Sequence, residues 1–301
     1  MKIKNMKIKN LLAIMLFVST AATAVEYRMV VPFGAGSHGD LTQRIIADRF
    51  KEITGDHIVI ENKPGAVATS AINYMKANKD VDLIALAAGI LVVDPVLKEV
   101  TYTDADYSPI IFVGTTPFVW ISDMLKKVED MVAQAPAFSG GNAGTGEINL
   151  KFLNLAKNLN IEYVSYKAAP EVIIAVAASQ IHLANVGLNT TITQMHKTGR
   201  INIIGSTYSK DITVDGILIP SVSSKLKVAQ LNGFTVIATR SDMDTSKQAK
   251  LKAGLWEAVS DPKTRERLKD LFFLDDHSND TKALNKFILD TRENMKKAVQ
   301  K

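Results

Sequence analysis

Two distant segments of the chain share one pattern: an apolar strand, a glycine-rich turn and a helix with apolar residues on one face. The first strand, Tyr27–Phe33, leads through Gly34–Gly39 into a helix that is expected to begin at Asp40. The second strand, Pro136–Phe138, leads through Ser139–Thr145 into another amphipathic helix. Strands that alternate with helices indicate sheets with helices on their faces, and two such starts in 301 residues indicate two similar lobes.

Further apolar runs fill out both sheets. The run at residues 82–87 is nearly all-apolar, as expected for a strand inside a parallel sheet that is covered on both faces. Other strands are predicted at residues 57–60, 161–166, 201–205 and 234–238. The predicted fold class is therefore α/β, with two lobes that are each a doubly wound, mostly parallel sheet with flanking helices.

The lobe boundaries are predicted from the same pattern. The first lobe is expected over residues 25–122, with residues 236–301 returning to it, and the second lobe over residues 123–235. The chain is expected to cross between the lobes near Val119–Ser122 and near Ile203–Ser206. Such crossings act as hinges when two lobes close over a ligand.

The composition excludes several classes of protein. Hydrophobic residues make up 47% and charged residues 22%, a balance that is typical of a folded globular chain. The net charge is only +5, and four lysines before residue 10 contribute much of it, so no nucleic-acid partner is expected. The absence of cysteine excludes disulfides and thiolate metal sites. The five histidines are scattered without the spacing of metal ligands, so no metal site is expected.

The N-terminus has the order of a secretory signal. Lysines precede the apolar run Leu11–Val18, and a segment of small residues then offers Ala22 and Ala24 for cleavage. The apolar run is shorter than the ~20 residues that span a bilayer, which favours cleavage after Ala24 over an uncleaved membrane anchor. Residues 1–24 are therefore predicted to be a signal peptide, and the mature chain is expected in the periplasm.

Both glycine-rich turns are candidate anion sites. Each precedes a helix whose first N–H groups lack intrahelical acceptors and whose dipole adds partial positive charge. Glycine lets the backbone approach a ligand without an intervening Cβ atom, so such a turn suits an anion even without Lys or Arg. Taken singly, each set of glycines is explained equally well by a tight strand-to-helix turn. Two such turns on opposite sides of a cleft suit a ligand with a carboxylate at one or both ends.

The first turn also matches a different class of protein. Gly34-x-Gly36-x-x-Gly39 has the spacing of the dinucleotide-binding fingerprint and follows a strand, and Glu61 lies about 20 residues further on. Taken alone, this spacing predicts a dinucleotide-dependent oxidoreductase. The export signal argues against it, as does the polar Asp40 directly after the third glycine. The oxidoreductase is kept as the alternative function.

Short motifs follow one another in order along most of the mature chain. They are Val31–Phe33 with Gly36 and Asp40, Glu61–Ala66, Tyr102–Pro109, Thr115–Pro117, Phe138–Thr145, Tyr166–Lys167 and Ser260–Leu268. None is specific alone. Their order and spacing together resemble the periplasmic receptors of tripartite tricarboxylate transporters, which are also called Bug or TctC-type proteins.

The resemblance implies a type II-like periplasmic binding protein, a monomer without enzymatic activity or cofactor, whose two α/β lobes close over a ligand. It implies that a small carboxylate, such as a di- or tricarboxylate, is captured for the membrane components of a tripartite tricarboxylate transporter. A receptor-like protein that acts only as a sensor partner is a third possibility. The ligand-binding residues that the resemblance implies are Phe33, Gly34, Ala35, Gly36, Ser37, His38, Gly39 and Asp40 in the first loop and Gly141, Asn142, Ala143, Gly144 and Thr145 in the second.

The first loop departs from the family pattern at Ser37–Gly39, where a run of glycines and a threonine is usual. His38 is expected either to attract a carboxylate when it is protonated or to be a surface loop residue. Asp40 is expected either to contact an amino group of a ligand or, as its residue type favours, to cap the helix. Thr145 stands where the family has serine and is expected to cap its helix and to donate its hydroxyl hydrogen.

Overall fold

The structure is a computed structural model that describes residues 24–64, 69–141, 144–166 and 168–299. Within these residues the strands form two five-stranded sheets and a two-stranded hairpin. The strands are β1 Glu26–Val31, β2 His57–Asn62, β3 Leu83–Ala87, β4 Tyr107–Thr116, β5 Phe118–Ser122, β6 Phe138–Gly141, β7 Glu162–Ser165, β8 Ala184–Gly187, β9 Asn202–Ser206, β10 Ile212–Val214, β11 Ile217–Ile219 and β12 Gly233–Arg240.

Helices cover the faces of both sheets. They are α1 His38–Thr54, α2 Thr69–Ala77, α3 Asp94–Leu97, α4 Asp130–Ala133, α5 Gly144–Lys157, α6 Ala169–Ala177, α7 Thr190–Lys197, α8 Val222–Leu226, α9 Thr245–Ser260, α10 Pro262–Asp270 and α11 Thr281–Val299. A π-helical turn over Gly89–Val93, called the π-turn below, precedes α3, and a 3-10 turn spans Asp104–Asp106. Within the described ranges, no helix combines the length and the apolar character that a membrane crossing needs.

The two sheets have the same arrangement. The strand order is β2-β1-β3-β12-β4 in the first sheet and β7-β6-β8-β5-β9 in the second. In each sheet the first three strands are parallel, and the fourth, β12 or β5, is antiparallel to both of its neighbours. The α/β class and the two lobes are confirmed. Each sheet is mixed: four of its five strands point the same way, as predicted for a mostly parallel sheet, and one is antiparallel. The connectivity is the reason, since β5 and β12 each enter their sheet from the opposite lobe.

The chain passes between the lobes at Pro117 and again at residues 231–232. β5 pairs with β8 and β9 of the second sheet, and β12 pairs with β3 and β4 of the first. The predicted boundaries put residues 118–122 in the first lobe and residues 233–235 in the second, and the structure corrects both. Ile203–Ser206 is part of β9 and is not a crossing. The apolar pattern predicts where a strand lies but not which sheet it joins. The predicted crossings between the lobes were therefore misplaced.

A threonine ties both crossings to the second lobe. Thr207 lies directly after β9, and its hydroxyl oxygen accepts a hydrogen bond from the Phe118 N–H at 3.0 Å. The same hydroxyl lies 2.8 Å from Asn232 Oδ1, to which it donates. Phe118 follows the first crossing and Asn232 belongs to the second, so one side chain holds the two chain segments side by side.

One apolar cluster contains residues of both lobes. It includes Leu91 from the first lobe and Trp120 and Ile148 from the second. Trp120 is completely buried, and its indole Nε1 donates to Gln230 Oε1 at 2.8 Å. The tryptophan is therefore a core residue whose single polar group has a partner, as buried indole groups require.

Asn149 on α5 connects this cluster to the second crossing. Its Nδ2 donates to the Leu231 carbonyl and to Asn185 Oδ1, each at 2.9 Å, and its Oδ1 accepts from the Leu231 N–H at 2.6 Å. The side chain is completely buried. Because it satisfies both backbone groups of Leu231, Asn149 fixes the crossing segment against α5.

We expect Asn149→Ala to lower the free energy of unfolding by about 3 kcal/mol, because it leaves the backbone groups of Leu231 and the Asn185 carbonyl buried without partners. Lys151→Ala on the same helix removes only a partly exposed pair with Glu147 and should cost less than ~0.5 kcal/mol. Urea denaturation followed by circular dichroism measures both values. Equal losses in the two variants would show that the hydrogen bonds of Asn149 contribute no specific stability.

Candidate ligand site at the two glycine-rich loops

The two glycine-rich loops leave equivalent strands of the two sheets. The first loop follows β1 and the second follows β6, and each of these is the second strand in its sheet. Ligand sites of open α/β sheets lie beyond the carboxyl ends of the parallel strands, which is where both loops lie. Asn142 and Ala143 fall outside the described residues, so the described part of the second loop is Gly141, Gly144 and Thr145.

Hydrogen bonds within the first loop fix its turn. Gly36 has a φ of 75°, in the left-handed region that glycine tolerates. The Ser37 N–H donates to the Gly34 carbonyl at 3.1 Å. Ser37 Oγ accepts from the Asp40 N–H at 3.3 Å, which makes Ser37 the N-cap of α1. The helix therefore begins at His38, and the expectation that Asp40 begins or caps it is wrong.

The carboxylate of Asp40 is buried behind this turn. It accepts hydrogen bonds from the Gly36 N–H at 2.8 Å, from Asn62 Nδ2 at 2.8 Å and from Arg44 Nε at 3.0 Å. Burial alone would raise the pKa of Asp40, but these hydrogen bonds and the charge of Arg44 outweigh it and hold the pKa below its usual value. Asp40 thus binds the loop to β2, with both of its oxygens engaged by the protein.

The glycines of the first loop have different structural roles. A Cβ atom added to Gly34 or Gly36 would meet nothing within 4 Å, so both residues border open space. A Cβ atom on Gly39 would lie 2.3 Å from the Phe33 ring, so Gly39 is needed for close packing. His38 and Gly39 are the first two residues of α1, and their N–H groups lack intrahelical acceptors. The loop therefore offers backbone donors at an uncrowded surface.

The His38 side chain contacts the segment that follows α10. Its ring stacks on Phe273 with 5.2 Å between centroids, and Nε2 lies 2.9 Å from the Leu271 carbonyl oxygen, to which it donates. Desolvation by this segment lowers the pKa of His38 below its usual value, although the hydrogen bond to Leu271 opposes the shift. The neutral ring is favoured, and attraction of a carboxylate by protonated His38 stays a prediction.

Close packing fixes the second loop. A Cβ atom on Gly141 would lie 2.7 Å from Tyr163 Oη, and one on Gly146 would lie 2.6 Å from the Asn185 carbonyl oxygen. Glycine at these positions lets the first turn of α5 lie directly against β8. Thr145 is buried at the second position of α5, inside the helix and not at its cap, and its N–H lacks an intrahelical acceptor.

The π-turn forms a third wall that the sequence pattern did not reveal. It leaves the carboxyl end of β3, the strand beside β1, and packs against α5 of the second lobe. A Cβ atom on Gly144 would lie 2.8 Å from Val93 Cγ1, so Gly144 allows the two lobes to meet here. The one available signal in the sequence was Gly89, two residues after the end of the strand and followed by an apolar run too short for an ordinary helix.

The charges beside both helix N-termini are compensated within each helix. Asp40 lies in the first turn of α1 and pairs with Arg44 at 3.0 Å, and Glu147 lies in the first turn of α5 and pairs with Lys151 at 3.0 Å. These carboxylates already interact with the positive ends of the helix dipoles. An anion at either loop would therefore be held by directed N–H groups and not by net positive charge.

The geometry does not favour a dinucleotide at the first loop. Glu61, the acidic residue of the fingerprint spacing, accepts from Arg28 Nε at 2.5 Å and from the Tyr74 hydroxyl at 3.1 Å. The Gly36 N–H, which would approach a pyrophosphate, donates to Asp40 instead. In the ranges that the structure describes, no group of three or more His, Asp or Glu side chains is placed to hold a metal ion.

The two similar lobes, each with a glycine-rich loop beyond its parallel strands, define the fold of a two-lobed periplasmic binding protein. Comparison with known families is consistent with this class. Residues 42–301 match the tripartite tricarboxylate transporter family receptor, TctC, and the chain belongs to this family.

Curated relatives are distant in sequence. A UPF0065 protein from the tcbD-tcbE intergenic region of a Pseudomonas species is 26% identical over 260 residues, which cover 80% of this chain and 76% of the relative. A UPF0065 protein of Bordetella pertussis is 21% identical over 68% of this chain, and the match spans 66% of the relative. A UPF0065 protein of Bordetella bronchiseptica is 24% identical over 59% of this chain, and the match spans 56% of the relative. The match thus covers less than two thirds of the length of the two Bordetella proteins.

Solved structures share the fold over nearly their whole length. An R. palustris protein with adipate has a TM-score of 0.77 at 18% identity, covering 93% of this chain and 97% of the other. MatC from Rhodopseudomonas palustris with bound malate has a TM-score of 0.76 at 17% identity, covering 91% and 99%. The periplasmic binding protein BugD has a TM-score of 0.74 at 22% identity, covering 91% and 96%.

Asp40→Asn should destabilise the protein by about 1.5–3 kcal/mol at pH 7, because it weakens hydrogen bonds to a buried charge. The folded-state pKa of Asp40 is depressed, so its carboxylate stabilises the fold above the unfolded-state pKa. That contribution is lost as the pH falls through the folded-state pKa. The difference in melting temperature between wild type and variant should therefore be full at pH 7 and shrink below pH ~4.

Asp48→Asn on the same helix is the matched control. Its pair with Arg267 is exposed and long, at 3.9 Å, and should contribute less than ~0.5 kcal/mol at any pH. Thermal unfolding of the three proteins between pH 7 and pH 3 makes the comparison. A difference between wild type and Asp40→Asn that is equal at both ends of this range would contradict the role of the Asp40 charge.

Proposed function

We propose that the protein is an extracytoplasmic solute-binding protein that captures a small di- or tricarboxylate, or a related organic acid, between its lobes for a tripartite tricarboxylate transporter. The observation that carries the proposal is the pair of glycine-rich loops at equivalent places in the two sheets, each leading into a helix N-terminus. Membership of the receptor family supports it. So do the adipate and the malate in two proteins of the same fold.

Backbone N–H groups are the donors in this proposal. They belong to His38 and Gly39 at the start of α1 and to Gly144 and Thr145 at the start of α5. Helix N-termini direct such groups at a bound anion. The Thr145 hydroxyl adds a donor. With one loop in each lobe, a ligand engages all of these donors only when the lobes are closed.

The two chain crossings are the proposed hinge. Only Pro117 separates β4 from β5, and Thr207 holds the first crossing beside Asn232 of the second. Short crossings let the angle between two lobes change while each lobe stays rigid. This assignment replaces the hinge positions expected from the sequence.

We place the mature protein in the periplasm, as a monomer that delivers its ligand to the membrane components of the transporter. The predicted signal peptide, residues 1–24, supports export, although residues 1–23 lie outside the described ranges. The role of the family supports the partner. Capture and release of a carboxylate need no covalent chemistry and no cofactor.

Two alternatives have less support. The dinucleotide-dependent oxidoreductase requires a free acidic residue at Glu61 and a free N–H at Gly36, and both groups have protein partners. A sensor partner would use the same binding step and differ only in the protein that reads the closed state. The ligand class is therefore the first question to test.

Carboxylates should raise the melting temperature of the mature protein. A ligand that binds only the folded state stabilises it by about 2.7 kcal/mol at a concentration 100 times Kd. A thermal-shift screen with mono-, di- and tricarboxylates, including adipate and malate, measures this, with NAD as the comparison ligand. A clear shift with NAD and none with any carboxylate would favour the oxidoreductase.

Gly34→Val and Thr145→Val test the two loops separately. Because a Cβ atom on Gly34 meets nothing within 4 Å, valine fits there and occupies space that an anion would enter. Thr145→Val removes a hydroxyl at nearly constant volume. Each change should weaken carboxylate affinity about ten- to a hundredfold, or roughly 1.5–3 kcal/mol. Gly36 is a poorer probe, because its φ of 75° would strain any β-branched residue.

Titration calorimetry at a temperature where all variants are folded gives the affinities. Ala249→Val, exposed on α9, adds similar volume away from both loops and should leave the affinity unchanged. The two-loop arrangement is wrong if a change in one loop weakens binding while the other loop tolerates its change.

A further inference from the structure

The π-turn is an irregular segment at the wall of the ligand site. The Asp94 N–H donates to the Gly89 carbonyl and closes the wide hydrogen-bonded ring of this turn. Four of the five residues of the turn are buried apolar side chains. Turns of this kind occur frequently at functional sites. Their buried carbonyl groups need hydrogen-bond donors, which neighbouring elements can supply.

Two side chains from other elements hold the π-turn. Arg292 on α11 donates to the Leu91 carbonyl oxygen through Nε at 3.1 Å and through Nη2 at 2.6 Å. The Tyr102 hydroxyl donates to the Ile90 carbonyl oxygen at 2.6 Å. The Arg292 side chain is only 13% exposed. The position of the turn therefore depends on a partly buried guanidinium that lies 201 residues away in sequence.

Arg292 is itself fixed by Asp104. Nη1 lies 2.7 Å from Asp104 Oδ2, and Nη2 lies 2.9 Å from Oδ1, a two-point pairing that suits the planar guanidinium. Burial would lower the pKa of Arg292, but the hydrogen bonds and charge of Asp104 outweigh it and raise the pKa above its usual value. The charged guanidinium thus bridges a carboxylate on one side and the Leu91 carbonyl on the other.

The π-turn connects Arg292 to the second lobe through a direct contact. Its last residue, Val93, packs directly on Gly144 at the N-terminus of α5. Helix α11, which supplies Arg292, also contacts α5. The guanidinium therefore lies behind the wall that meets the second glycine-rich loop.

We propose that Arg292 is a positioning residue for the ligand site: by holding the Leu91 carbonyl, it keeps Val93 against Gly144 and sets the spacing between the π-turn and the second loop. This inference rests on the proposed function of that site. Arginine is needed because its planar group donates to Leu91 and Asp104 at once, whereas lysine is a point charge without this fork.

Arg292→Gln and Asp104→Asn separate positioning from stability. Arg292→Gln removes the donors to Leu91 and should raise the Kd of a carboxylate that binds the wild type by tenfold or more. Arg292→Lys should give an intermediate loss. Asp104→Asn removes the paired charge but keeps an acceptor oxygen for the guanidinium, so it should lower the melting temperature and raise Kd clearly less than Arg292→Gln does. Calorimetry well below the melting temperature of every variant gives the comparison.

A double-mutant cycle tests the route through Val93. If Arg292 acts through this contact, Arg292→Gln should change Kd much less in a Val93→Ala background than in the wild type. Additive effects of the two substitutions would overturn the proposal. So would a Kd in Arg292→Gln that equals the wild-type value.

Amide hydrogen exchange without ligand distinguishes this inference from the proposed function. Arg292→Gln should speed exchange at residues 89–93 and 144–150 relative to Asp104→Asn. Unchanged exchange of both segments would overturn the positioning role. Failure of the wild type to bind any carboxylate would overturn the proposed function and leave the exchange result as the test of the spacing.

Discussion

The rest of the structure depends on two strands, one in each sheet, that the chain enters directly from the other lobe. β5 enters the second sheet one residue after β4 ends in the first, and β12 returns as the fourth strand of the first sheet. Each lies antiparallel between two strands of the lobe that it joins. The two sheets therefore have one topology, and β1 and β6 hold the same place in it. The contact of Val93 with Gly144 shows that the carboxyl ends of β3 and β6 face each other.

The two loops reach a fixed conformation by different physical means. In the first loop a buried charge fixes the conformation, because the Asp40 carboxylate accepts hydrogen bonds from Gly36, Asn62 and Arg44. The second loop relies on close packing, since side chains at Gly141 or Gly146 would overlap their neighbours. At both loops the first N–H groups of the helix lack intrahelical acceptors. A rigid set of donors loses little entropy on binding, so it can hold a carboxylate without a nearby unpaired cation.

Local features of this arrangement could be predicted from the sequence, and long-range ones could not. The strand, glycine turn and helix at each loop are set by neighbouring residues, so α1 and α5 begin within two residues of their predicted starts, 40 and 146. The order of short motifs was enough to identify the family. The partner of His38 lies 233 positions away at Leu271, and no local pattern marks it. Asn142 and Ala143 lie outside the described residues, so their roles in ligand binding stay predictions.

The polar contacts of Asp40 illustrate the same limit. Its residue type favours a helix cap, yet Ser37 has that position and Asp40 turns inward to Asn62. Whether Asp40 caps the helix or turns inward depends on how close β2 brings Asn62 to the loop after β1. That distance is a property of the sheet and not of the loop. The crossings at Pro117 and residues 231–232 were misplaced for a similar reason, because pairing partners are decided by the whole sheet.

The contacts at the crossings and the contacts at the loops differ in chemistry in a way that suits a hinge. Directional hydrogen bonds lie at the crossings, where Thr207 bonds Phe118 and Asn232 and where Asn149 bonds Leu231. Breaking one of these would leave a buried polar group unpaired, at a cost of about 1–3 kcal/mol. At the loops, by contrast, Val93 and Gly144 make an apolar contact, and exposing it costs only about 25 cal/mol for each Å². Opening at the loops with the crossings intact therefore breaks none of these hydrogen bonds, and a ligand held by both loops would oppose it.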